Sequence, residues 1–173
     1  MALTRARVLF GSADARRAVA EIVWDVLNTP RDSVGLHTDI ATMRKDIAAH
    51  KPPKGPLDVK LLPGGLVDME FITHALQLQT HAGIKPQLGP AIDALVVAGH
   101  LPAEFAKAFA LMSRLLVMIR LIAPDCATPP EAAQLLIAHS LGFADWDGLM
   151  DAIGDYRGLV IAQWQSLFGP RDF

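Results

Sequence analysis

A chain of 173 residues with 51% hydrophobic content can bury one sizeable core and needs no second domain. Its 16 Lys and Arg against 18 Asp and Glu give a formal charge of -2, and the basic residues are spread rather than massed, which excludes a protein that lives by gripping nucleic acid. A lone cysteine, Cys126, excludes an internal disulfide, and the opening Met-Ala-Leu-Thr-Arg-Ala-Arg lacks the apolar run of a signal peptide, so a reducing cytoplasm is the expected location.

The chain opens with Leu3, Ala6 and Phe10 at helical spacing, interleaved with Arg5 and Arg7. This predicts a short helix that starts abruptly and is either a solvated basic end or a face toward something anionic. Residues 13–27 carry Val19, Ile22, Val23 and Val26, and residues 34–50 carry Leu36, Ile40, Met43 and Ile47, each set on one helical stripe. Ser12 and Ser33 stand at the expected N-caps. Residues 57–61 read as one short strand-like segment, which cannot form a sheet alone and suggests that something is missing from the chain.

Helical pattern returns at 66–82, 89–98, 103–123, 130–141 and 146–168, with Gly83, Gly99 and Gly142 where left-handed C-caps fall. The stretch 103–123 is the most apolar, but Glu104, Lys107, Arg114 and Arg120 make it a buried helix rather than a membrane span. Thr128-Pro-Pro-Glu131 has the form of a capping box, and the loop 124–128 before it reads as a hinge. The expected fold is all-α, a bundle of seven or eight helices in one domain over 1–173. Residues 1–65 supply the opening helices and a Pro-Gly-Gly loop, and 66–173 the bundle.

The segment from Asp58 to Phe71 concentrates the chemistry. Gly64 and Gly65 allow another backbone or a ligand to approach closely, and a helix starting after them points free N–H groups back at the turn beside Lys60. Such a place can hold an anion. Asp68 and Glu70 answer the same helix dipole, so a capped loop-to-helix junction is the plainer reading. Glu70, His74 and His81 share a helix face, but no motif supports a metal there, and none is expected. His37, His50, His100 and His139 lie near helix ends without a partner in sequence. Cys126 has no neighbouring histidine, and neither a Gly-x-Ser-x-Gly elbow nor a P-loop occurs, so nucleophilic catalysis has no support.

The run Asp58-x-Lys60, three residues, Gly64-Gly65-Leu66-x-Asp68-Met69-Glu70-Phe71 resembles a segment of the glutamine synthetase adenylyltransferases, bacterial enzymes of nitrogen control. The opening Ala2 to Val8 is similar to the helix that follows the family's nucleotidyltransferase domain, and Pro30-Arg31, Met43-Arg44 and Phe71 to Leu78 fall in the expected order. Asp68 before Met69-Glu70-Phe71 is more like the C-terminal, AMP-attaching half than the removing half. The resemblance implies a helical region that follows the second nucleotidyltransferase domain, in an enzyme using ATP and Mg. It implies that Lys60 contacts the triphosphate or a catalytic carboxylate, that Gly64 and Gly65 permit a tight approach, and that Asp68 and Glu70 orient Lys60 or the arginines Arg5 and Arg7.

The family's metal-binding carboxylates are expected in a Gly-Ser and Asp-x-Asp pattern upstream of Ala2, so this chain alone is expected to be inactive and to hold no metal. Implied partners are the preceding nucleotidyltransferase domain, glutamine synthetase and the PII signalling protein. A homodimer through exposed apolar surface is a further expectation. The alternative is a non-catalytic helical interaction module in which the Pro-Gly-Gly turn is structural.

Overall fold

The computed structural model describes residues 1–170. Seven α-helices follow one 3-10 turn at Ala2–Arg5: α1 (Ala13–Asn28), α2 (Ser33–His50), α3 (Leu66–Thr80), α4 (Leu88–Val97), α5 (Ala103–Ile122), α6 (Glu131–Leu141) and α7 (Trp146–Phe168). The all-α expectation holds, with boundaries mostly within two residues. No helix among the described residues is long and apolar enough to cross a membrane.

α3 is the axis of the bundle and packs against α2, α4, α5 and α7. Every residue from Val67 to Leu78 except Glu70 is buried. A helix apolar on all sides has to be surrounded. α5 supplies Phe105, Ala108, Met112, Leu115 and Ile119, all fully buried and spaced three or four apart, and α7 adds Trp164 at 1% exposure. α1 differs: its main packing is against the opening turn, and only Leu27 of its residues is buried.

Capping differs from expectation in three places. Ser12 caps α1, its hydroxyl accepting from the Ala15 amide at 3.2 Å. Asp32 rather than Ser33 caps α2, because its carboxylate reaches both the Val34 and Gly35 amides, at 3.3 and 2.7 Å. The Thr128 capping box does not form. Pro130 occupies the N-cap of α6 without a side-chain bond, and Pro130 instead has its carbonyl accept from the Ala133 and Gln134 amides. α3 ends at His81, which itself takes the left-handed conformation (φ 56) two residues before Gly83.

The segment 57–61 is not a strand. Asp58, 4% exposed, winds it into turns: Oδ1 accepts from the Leu61 amide at 3.1 Å, Oδ2 from the Lys54 amide at 3.1 Å, and its carbonyl from Leu61 and Leu62. An aspartate that can bond nearby amides competes with extended structure. The loop 124–128 is tied down on the same side, since the Leu57 amide donates to the Cys126 carbonyl at 3.1 Å. Burial pushes the Cys126 thiol up from its ordinary range, and the Asp58 carboxylate adds to the effect. The opening segment forms only the 3-10 turn. Arg7 and Phe10 lie beyond it, with Phe10 87% exposed.

Candidate functional site

The Lys60–Gly65 loop is built on a buried ion pair that spans two helices. Arg44 of α2 and Asp68 of α3 are 2% and 0% exposed at the side chain, and Arg44 Nε donates to Asp68 Oδ1 at 2.6 Å. The other carboxylate oxygen accepts from the Gly64 amide at 2.6 Å, and Arg44 Nη2 donates to the Leu61 carbonyl at 3.0 Å. One ion pair therefore grips the loop at both ends. Removing either partner would leave an uncompensated buried charge, which typically costs about 3–5 kcal/mol.

Both glycines lie where protein backbone approaches closely. Gly64 has φ +74, and a Cβ there would lie 2.3 Å from the Arg157 carbonyl of α7. A Cβ on Gly65 would lie 2.5 Å from the Val59 carbonyl. Arg157 Nε in turn donates to the Pro63 carbonyl at 2.9 Å. At the start of α3 the Leu66 amide donates to Val59 O at 2.9 Å and the Val67 amide to Lys60 O at 3.1 Å. Two of the helix-terminus donors that an incoming anion would use are thereby engaged.

Beside this loop, the opening turn, α2 and α3 enclose a cleft of about 450 Å³. Arg5, Lys51, Lys60, Glu70 and His74 are its polar lining, and Met43, Ile47, Val67 and Phe71 are part of its apolar wall. Arg5 Nη1 donates to Glu70 Oε1 at 2.6 Å, and His74 Nε2 lies 3.6 Å from the same oxygen, too long for a hydrogen bond. The His74 ring and, less, the Arg5 and Lys60 charges hold the Glu70 carboxyl below its ordinary range, against the opposing effect of burial.

Of the residues singled out in the sequence, Arg5, Lys60 and Glu70 thus meet in one cleft. Asp68 lies apart from them, oriented toward Arg44 rather than Lys60. Arg7 lines a different, apolar groove with Val19, Val23 and Trp24. Among the described residues no group of three His, Cys, Asp or Glu is arranged to hold a metal ion. A Gly-Ser pair and an Asp-x-Asp triplet do occur, as Gly11-Ser12 and Asp145-Trp146-Asp147, but Ser12 and Asp145 cap two different helices.

Relatives match this chain along most of its length. It is 37% identical over 147 aligned positions to the bifunctional glutamine synthetase adenylyltransferase/adenylyl-removing enzyme of a Bradyrhizobium species, covering 79% of this chain. The enzyme of the same description from Bradyrhizobium diazoefficiens is 37% identical over 179 positions, 96% of the chain, and that from Brucella suis 32% over 182 positions, 98% of the chain. The chain belongs to the glutamine synthetase adenylyltransferase family. It spans only 15% to 18% of the length of these curated relatives and so corresponds to one part of a larger enzyme. No protein-family profile matches it.

Several residues that hold this site in place belong to no recognisable motif. Arg44 was visible only as half of a Met43-Arg44 pair in the expected order, and its partner is 24 residues away. Thr4 and Gln77 both contact His74, at 3.0 and 2.9 Å, and neither belongs to a recognisable motif. His74 itself is buried, with Glu70 four residues earlier on the face that helical spacing gives them.

Proposed function

We propose that the chain is the helical domain following the second nucleotidyltransferase domain of an enzyme that attaches AMP from ATP to glutamine synthetase. In this reading Lys60 serves the transfer step. The observation that supports it most is the Arg44–Asp68 pair, which holds the Lys60 loop rigidly at Leu61 and Gly64 while leaving Lys60 itself exposed. A fixed loop presenting one uncommitted lysine suits a group that must meet a charged ligand arriving from a neighbouring domain. Arg5 and Glu70 set the charge around it.

The metal ions of such a transfer would be held by the carboxylates of the preceding domain, since the donor sets here do not fit one. The chain alone is then inactive, and its partners are the preceding domain, glutamine synthetase and the PII protein, in the cytoplasm. The organisation 1–65 and 66–173 within one domain belongs to the same proposal.

A specific observation favours a second reading. Gly64 and Gly65 face protein backbone, so the Pro-Gly-Gly turn is fully accounted for by packing, as an interaction module would require. The exposed apolar residues of α1, among them Ile22 and Trp24, would then dock a partner or a second copy. Transfer of labelled AMP to glutamine synthetase separates the two. A version extended to include the preceding domain is expected to be active, this chain alone inactive, and Lys60→Ala in the extended version to lose transfer with its helical content kept. Full transfer by that variant would favour the interaction module.

A further inference from the structure

The turn beside Lys60 contains a peptide bond that two different helices hold. Leu62-Pro63-Gly64-Gly65 closes with the Gly65 amide donating to the Leu62 carbonyl at 2.9 Å. Proline fixes a negative φ at the second position, and Gly64 at the third has φ +74, which together make a type II turn. The commoner type I turn differs from it by rotation of the central peptide, here the one joining Pro63 to Gly64, through roughly half a turn.

Both polar atoms of that peptide are engaged. The Gly64 amide donates to Asp68 Oδ2 at 2.6 Å, and the Pro63 carbonyl accepts from Arg157 Nε at 2.9 Å. Rotating the peptide would turn the N–H and the carbonyl away from these partners, so both bonds select the same orientation. The two partners differ in what else depends on them. Asp68 is fully buried against Arg44, and its loss damages the core. Arg157 is half-buried on α7, so its donor can be removed while the core stays packed.

We propose that Arg157 is a positioning residue for Lys60, acting by holding the peptide between Pro63 and Gly64 in the type II orientation. The turn so fixed closes the loop on which Lys60 stands. Across that loop the Val67 amide donates to the Lys60 carbonyl and the Leu66 amide to the Val59 carbonyl, so lysine and turn belong to one hydrogen-bonded unit. Arg157 also supports the turn with its own backbone, since its carbonyl fills the space that a Gly64 Cβ would need. α7 thereby joins the elements that present Lys60, from a point 94 residues beyond Pro63. The inference rests on the proposed role of Lys60 in transfer and adds the residue that fixes where the lysine stands.

Methionine matches the aliphatic part of Arg157 but has no donor, whereas lysine keeps one. Hydrogen exchange of the 173-residue chain reads the turn directly. In Arg157→Met the Gly64 and Gly65 amides are expected to exchange about tenfold faster, and in Arg157→Lys close to the parent rate, with amides in the middle of α5 unchanged in both. Transfer of labelled AMP by the extended version reads the consequence. Arg157→Met is expected to lower kcat about tenfold with helical content kept, and Arg157→Lys to retain most of it. Because Arg157 acts through Lys60, Arg157→Met should remove nothing further from the residual transfer of Lys60→Ala, whereas a change that merely loosens the domain would lower both backgrounds alike. Unchanged exchange in Arg157→Met, unchanged transfer by that variant, or an equal loss on the Lys60→Ala background overturns the inference. If Lys60→Ala keeps full transfer, the proposed function fails and takes this inference with it. If Lys60→Ala loses transfer and Arg157→Met does not, only this inference fails.

Discussion

α1 and α3 carry comparable apolar content in sequence, yet one lies on the outside of the molecule and the other at its centre. α3 is buried on every face and anchors the Lys60 loop through Asp68, whereas α1 buries Leu27 alone and leaves Val19, Ile22, Trp24 and Val26 exposed. Hydrophobic periodicity states that a helix has an apolar face. It does not state whether the chain contains the surface that covers it. The core of this domain is complete around α3 and incomplete around α1.

The sharpest way to break this contrast is at the ion pair. Asp68→Ala should cost about 3–5 kcal/mol, because Arg44 and the Gly64 amide lose a buried partner together. Denaturant unfolding checks it, and a near-neutral result would place the weight of the fold elsewhere. Replacing both residues, as Arg44→Met with Asp68→Leu, should cost less than Asp68→Ala alone, which a double-mutant cycle would reveal. Gly64→Ala comes next, at about 1–3 kcal/mol from its positive φ, with more added by the contact with the Arg157 carbonyl.

On α1 the same kind of substitution should pass almost unnoticed. Ile22→Gln, on a side chain 63% exposed, is expected to shift stability by no more than about 0.5 kcal/mol. A loss of 2 kcal/mol there would mean that α1 is covered after all. Smallest is the pH effect of Glu70. Its carboxyl is held low in the folded state, so its contribution is present above the ordinary carboxylate range and fades as pH falls through the lowered value. With Arg5 and Glu70 60% and 30% exposed at the side chain, solvent screening limits it to about 0.5 kcal/mol or less. Comparing acid unfolding of the Glu70→Gln variant with the parent chain measures it.

Helix positions were largely readable because each apolar stripe is local and repeats every three or four residues. Trp146–Phe168 and Ala103–Ile122 were placed within a residue on that ground. The cap of α2 was misplaced by one position because Asp32 and Ser33 are both good cap formers, and only the chain path decides which one turns out of the helix. The turns around Asp58 were misread as a strand because Leu57, Val59 and Leu61 alternate like one, while the carboxylate that winds them bonds nearby amides. At the candidate site, Lys60, Gly64, Gly65, Asp68 and Glu70 were visible as a motif and Arg5 was named beside Glu70, but the partners of Asp68 and His74 were not. Arg44 is 24 residues from Asp68 and Thr4 is 70 from His74, separations at which no periodicity operates. The glycines illustrate the limit well. Their need for close approach was legible, but that the approaching group is the backbone of α7 at Gly64 and of the loop itself at Gly65 became visible only in three dimensions.

That α7 contact also sets an order of events during synthesis. Pro63 and Arg157 are 94 residues apart, so the loop presenting Lys60 cannot complete this contact until α7 has been synthesised. A nascent chain stopped before α7 would hold the loop through Arg44 and Asp68 but without the cover of Arg157.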